Sequence, residues 1–242
     1  MQQFIFSLFF AISLFFNHAY ANNSEPKNKK PLILLLFGSS GSGQGVLAVK
    51  ISKALSIPHI SSADLVFAAI NEDTDIGMKA KEYLNIKGSI PDQLFMDMLY
   101  ERIHNSDCKE GFLLNTLPRT AEQAKNLNSA LGKDYRIVAI SIIVSDETVC
   151  QRLANRLICH NCGRVYHKLL SPPKKNLICD YCGNTLSQRE DDTSESVKRR
   201  LLEYQTAEAP VLEFYKKENL LQEVSGDLTL EEVFDIIMQK VK

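Results

Sequence analysis

The sequence predicts an α/β protein: an open parallel sheet with helices on both faces, joined to one small cysteine-bearing module. Three observations carry this prediction. Short unbroken apolar runs recur along the chain, helical stretches separate them, and a glycine-rich loop leads from the first run straight into the first helix.

The first run, Leu32–Phe37, is bounded by Pro31 and a Gly/Ser loop, as expected of a buried parallel strand. Similar runs follow at Gly111–Leu114 and Arg136–Val144, with a weaker one at Leu221–Val224. Between them Val46–Leu55, Asp92–Ile103, Thr120–Leu131 and Asp146–Leu157 read as helices. On such sheets ligands gather beyond the C-terminal ends of the strands. Residues 158–188 break the pattern with paired cysteines and the Pro172-Pro173 turn, so they read as a separate module.

The 242-residue chain is 45% hydrophobic and 24% charged, an ordinary globular composition that argues against disorder. A formal net charge of −1 without a polybasic run leaves no electrostatic footprint for nucleic acid or anionic lipid. At the N-terminus, Met1–Ala21 has no Asp, Glu, Lys or Arg and ends in Ala19-Tyr20-Ala21, an A-x-A-like cleavage site. Its apolar run Phe4–Phe16 is short for a membrane span. We read residues 1–21 as a signal peptide for export to a periplasmic or extracellular space, and 22–30 as a polar linker. The alternative is an uncleaved anchor over Phe4–Ala21, the one route by which a membrane would enter.

The loop runs Gly38-Ser39-Ser40-Gly41-Ser42-Gly43-Gln44-Gly45-Val46 and passes directly into a helix. Its four glycines let backbone N–H groups converge on phosphate oxygens, and the helix N-terminus adds partial positive charge. Between a buried strand and a helix, this arrangement points to an anion site. Further on stand Ile57–Leu65, Gly111–Thr120, Gly163-Arg164-Val165-Tyr166-His167, Gln188–Asp192, Arg200–Pro210 and Tyr215. With the loop, these segments make the chain from about Leu32 to Val241 resemble the adenylate kinase family, whose motifs they match in order and spacing.

The resemblance implies a P-loop nucleoside-monophosphate kinase with a five-stranded parallel sheet and a small zinc-binding lid. The core would comprise residues 31–60, 91–156 and 189–242, with a monophosphate-binding arm at 61–90 and the lid at 157–188. It implies ATP at Gly38, Gly41, Ser42, Gly43, Gln44, Gly45, Val46, Val165 and Tyr166. It places the monophosphate at Ser62, Phe67, Gly88, Ser89, Ile90, Arg119 and Gln123. Arg119, Arg152, Arg156, Arg189 and Arg200 match the arginines that grip the transferring phosphoryl group, a role that suits their planar forks. Spacing puts Arg152 and Arg156 on one face of one helix. Taken singly, each arginine reads as part of a solvated face or a surface ion pair; it is the match of the group to family positions that points to phosphate.

Four positions depart from the family pattern. Gln44 stands in place of the phosphate-loop Lys, Val46 in place of the hydroxyl residue that helps seat Mg2+, and Asn115 in place of an Asp that orders the ion's waters. Phe67 replaces an Arg at the monophosphate. Three of these four meet at the magnesium and triphosphate centre.

Two Cys-x-x-Cys pairs, Cys159 with Cys162 and Cys179 with Cys182, have sixteen residues between them and the layout of a structural four-cysteine zinc site. Two disulfides are the alternative in an oxidising compartment. Cys108 and Cys150 read as small packing residues, and His160 and His167 as lid packing or nucleotide contacts. The expected protein is thus a monomer that binds ATP, AMP or a related nucleotide, holds structural Zn2+, and uses Mg2+ with ATP if active. Two functions remain open here: a nucleotide-binding relative with phosphoryl transfer weakened or lost, and an active nucleoside-monophosphate kinase working through the retained arginines.

Overall fold

The computed structural model describes residues 30–72, 74–87, 90–190 and 192–242. The leader 1–21, the linker up to residue 29, Gly88 and Ser89 therefore lie outside the described residues. In chain order come β1 (Leu32–Gly38), α1 (Gln44–Leu55), β2 (His59–Ser61), α2 (Ser62–Asn71), α3 (Asp75–Lys87) and α4 (Asp92–Ile103). Next are β3 (Gly111–Asn115), α5 (Ala121–Leu131), β4 (Arg136–Ile143), α6 (Asp146–Ala154) and β5 (Arg156–Cys159). The chain finishes with β6 (Val165–His167), β7 (Leu186–Ser187), α7 (Ser194–Lys217), β8 (Leu221–Ser225) and α8 (Leu230–Val241).

Five strands pair in the order β2-β3-β1-β4-β8, all parallel. The four apolar runs became β1, β3, β4 and β8, and the predicted fold class holds. The fifth strand, β2, has only three residues, too few to display a period.

Alternation along β1 divides the core in two. Ile33, Leu35 and Phe37 pack on one face with Phe95 and Leu99 of α4, Leu127 of α5 and Tyr215 of α7. Leu34 and Leu36 pack on the other with Leu47 and Ile51 of α1 and Ile237 of α8. Both layers are fully buried at β1, so the strand cannot shift register by one residue without exchanging the two cores.

Side-chain caps fix where the helices begin. Ser61 accepts from the Asp64 N–H at 3.1 Å, Thr120 from Gln123, Ser145 from Thr148, and Thr229 forms a capping box with Glu232. Helices α2 and α3 fold back on each other closely enough that a Cβ on Gly77 would come within 1.8 Å of the Ala69 carbonyl oxygen. Only glycine fits there.

One predicted element is corrected. The helix read as Asp146–Leu157 stops at Ala154, so Arg152 lies on α6 whereas Arg156 opens strand β5. Asn155 ends the helix, and its Nδ2 bonds back to the Gln151 carbonyl at 3.0 Å. The two arginines do not share a helical face.

Candidate functional site

Strand β1 ends at Gly38 on the carboxyl edge of the sheet, and α1 starts at Gln44. Between them the backbone takes left-handed values at Gly41 (φ 90°) and Gly43 (φ 86°), conformations that resist a side chain. The turn closes through a 3.0 Å bond from Ser42 N–H to the Ser39 carbonyl. No acidic residue occupies the first turn of α1. The loop therefore offers backbone N–H groups and a helix N-terminus, a cradle for an anion.

The side chain at the end of this loop does not face outward. Gln44 is 6% exposed, and its Nε2 donates to the main-chain carbonyl of Leu36 within β1. That carbonyl also accepts the Thr116 N–H at 3.2 Å. Asn115, one residue earlier, pairs with Leu36 in the β1–β3 register, and its Oδ1 is buried with no hydrogen-bond partner among the described residues. Val46 lies in the first turn of α1 and is 46% exposed. Lys50 points away from the loop: its Nζ pairs with Glu231 and sits 4.3 Å from the Phe234 ring centroid on α8.

Three of the predicted arginines are engaged by the protein itself. Arg152 reaches the loop, donating to the carbonyls of Gly41 (3.4 Å), Gly226 (2.8 Å) and Leu228 (3.3 Å). Burial pulls its pKa down, opposed by Asp227. Arg156 and Arg200 converge on the buried carboxylate of Asp192, at 2.6 and 2.8 Å. Arg189 joins them through its main chain, its carbonyl accepting the Asp192 N–H at 3.1 Å.

On the arm side, Ser62 opens α2, Phe67 projects from it 65% exposed, and Ile90 precedes α4. Arg119 and Gln123 are joined: the Arg119 N–H donates to Gln123 Oε1 at 2.8 Å, and Gln123 is 3% exposed.

The cysteine module is a three-stranded antiparallel sheet, β6-β5-β7. All four sulfurs of Cys159, Cys162, Cys179 and Cys182 lie within 4.8 Å of one another, with neighbours at 3.4 to 3.6 Å. The edge of a tetrahedral zinc–thiolate shell is about 3.8 Å, from a bond length of ~2.3 Å, whereas a disulfide needs ~2.05 Å. The two knuckles repeat each other. Gly163 N–H bonds to the Cys159 carbonyl and Gly183 N–H to that of Cys179, at 2.8 and 2.9 Å. N–H groups of Asn184 draw the Cys182 thiol down to about 6. The Tyr166 hydroxyl lowers Cys179, and then accepts the Asp180 N–H at 2.9 Å. Cys162 goes up to about 12, because burial and the neighbouring thiols outweigh the N–H of Arg164. The cluster can hold a metal ion.

Val165 stays half exposed, while Tyr166 commits its hydroxyl to this cluster. His167 Nδ1 accepts the N–H groups of Leu169 and Leu170 at 3.1 and 3.0 Å, and His160 Nε2 meets Ser187 Oγ at 2.9 Å. Both make hydrogen bonds within the cysteine module.

Two participants carried no sequence signal of their own. Asp192 lay inside a matched segment without an assigned role, and its acidic neighbours on the chain disguise it as surface. Glu208 of α7 is pushed up to about 7 by burial, against the pull of the Tyr204 hydroxyl and Arg119.

The family model for adenylate kinase matches residues 36–220. An adenylate kinase of Caldicellulosiruptor bescii is 38% identical over 211 residues, covering 86% of this chain and 97% of that protein. One from a Geobacillus species is 41% identical over 203 residues, 83% and 94% of the two chains. One from Archaeoglobus fulgidus is 36% identical over 214 residues, 86% and 99%. The chain belongs to the adenylate kinase family.

Proposed function

We propose that this chain is an adenylate-kinase-like nucleotide-binding protein in which the family reaction, ATP + AMP ⇌ 2 ADP, is weakened or lost. One observation carries the reading: the residue at the helical end of the phosphate loop is a neutral amide folded into the sheet, bonded to the Leu36 carbonyl. Direct phosphoryl transfer depends on cations placed where charge develops, and one missing preorganised donor costs roughly 10² to 10³ in rate. Lys50 offers no substitute, since it is held by Glu231 and Phe234. Nucleotide binding itself asks less. The loop N–H groups, Arg119 and Gln123 supply anion and base contacts without any transition-state charge.

The second reading, retained catalysis through the arginines, is favoured by the convergence of Arg156 and Arg200 on one carboxylate. A cluster that holds one anionic oxygen could hold a phosphoryl oxygen after Asp192 gives way.

The four cysteines fit zinc, which would be held by Cys159, Cys162, Cys179 and Cys182 as a structural ion with no open coordination position. By its composition, the leader supports export.

The deciding experiment compares Mg2+-dependent ADP formation from ATP and AMP by this protein with that of Gln44→Lys/Val46→Thr/Asn115→Asp. A parent at background beside an active revertant supports the proposal. Parent turnover that disappears on Arg119→Ala establishes the second reading instead.

A further inference from the structure

Magnesium accompanies ATP throughout this family, yet the residues here do not suit it. Mg2+ requires near-octahedral oxygen coordination, keeps several waters, and is held by one or two carboxylates together with substrate phosphates. At this loop the first turn of α1 has no acidic residue, and Val46 presents methyl groups. Ser42 is 1% exposed, and its hydroxyl already accepts the Gln44 N–H at 3.3 Å. At the end of β3 stands Asn115, a neutral carboxamide whose buried Oδ1 has no partner among the described residues. One strand further out, Asp64 turns its carboxylate onto the Ser61 hydroxyl at 2.6 Å, closing the cap of α2. An orphaned amide oxygen can accept from one water. It cannot offset the charge of a divalent cation.

The same loop remains well built for an anion. Its left-handed glycines and the start of α1 offer backbone N–H groups suited to phosphate oxygens, the same atoms that Mg2+ coordinates.

We infer that this site takes its nucleotide as the metal-free anion, so that Mg2+ competes with the protein for the phosphates instead of bridging them to it. The inference rests on the nucleotide-binding reading above and specifies its ligand: a free nucleoside di- or triphosphate, not its magnesium complex. Gln44 belongs to the same design. A neutral donor bonded into β1 leaves the loop's own N–H groups as the attraction, with no cation pair to balance.

The test is calorimetric titration of ADP into the zinc-loaded full chain, in buffer freed of alkaline-earth ions and again with about 5 mM Mg2+. Chelators are avoided because they would strip the lid. The expected result is an apparent Kd that rises roughly fivefold with Mg2+, since only the uncomplexed fraction of ADP is competent. Val46→Thr/Asn115→Asp should reverse the sign and bind more tightly in Mg2+. Should that pair of changes impair folding, Val46→Thr alone, at a half-exposed position, serves with Mn2+ as a paramagnetic probe. The parent should leave the Mn2+–ADP spectrum as it is without protein, and the variant should broaden it. Parent affinity that holds or tightens on adding Mg2+ overturns the inference while leaving nucleotide binding intact. Absence of ADP binding under both conditions overturns the nucleotide reading, and the inference falls with it.

Discussion

Arg156 and Asp192 meet through two parallel hydrogen bonds, Nε to Oδ2 at 2.9 Å and Nη2 to Oδ1 at 2.6 Å, across 36 positions of sequence. Arg156 is the first residue of the cysteine-bearing sheet, and Asp192 follows it, so the pair fastens the module at its base. The carboxylate is fully buried and shared with Arg200. Removing one partner of such a pair leaves the remaining charges uncompensated, which costs about 3 kcal/mol. Asp192→Asn is therefore expected to lower stability by about that amount in urea unfolding. An equal midpoint for parent and variant would show that the pair contributes nothing.

The Gln44 bond to Leu36 predicts a smaller effect. Gln44→Leu keeps the bulk and removes the donor, but the Leu36 carbonyl retains the Thr116 N–H, so no acceptor is stranded. Such a deletion costs about 1 kcal/mol, near the mean for a single hydrogen bond. Thermal unfolding measures it. A loss of several kcal/mol would mean that the amide holds the whole loop in shape.

How much of this was legible beforehand depended on how far each feature reaches along the chain. The apolar runs of β1 and β4 are visible because the interior residues of a doubly covered strand, Ile33–Phe37 and Ile137–Ile142 here, are all buried. Strand β2 and the Gly77 crossing are set by three residues and one close approach, which leave no period. The helix break at Asn155 was hidden because the apolar residues Leu153 and Leu157 continue a helical spacing into a strand. Loop composition announced an anion cradle, but the direction of the Gln44 side chain is a tertiary outcome. So is the Arg156–Asp192 pair, for which sequence distance gives no cue. The cysteine spacing did carry the cluster, since two knuckles fix their own local geometry.

The module's cysteines predict one zinc per chain by elemental analysis. Cys179→Ser should abolish binding, because three thiolates and a hydroxyl make a poor zinc set. Buried residues of the module number few beyond the cysteines themselves, namely Leu157 and Leu186, so metal removal should unfold it locally. Amide exchange over 157–188 should accelerate on chelation while β1 and β4 stay protected. Uniform protection with and without metal would mean that the module folds without an ion.

Glu208 makes stability depend on pH in an uncommon direction. Burial raises its carboxyl from 4.5 to about 7, and the Tyr204 hydroxyl and Arg119 only partly oppose this. Its Oε2 is buried without a hydrogen-bond partner among the described residues, consistent with a group that prefers to be neutral. The folded state then binds the proton more tightly than the unfolded chain, so the slope of stability with pH is negative between the two values. The contribution is fully present below about pH 4.5 and is lost as pH rises through about 7. Its size is on the order of 2 to 3 kcal/mol. Glu208→Gln keeps the shape and removes the titration, so the variant should gain on the parent by that amount between pH 4.5 and pH 8. Urea unfolding of both proteins across this range checks it. Parallel curves would place the Glu208 carboxylate in water, and the burial argument would fail with them.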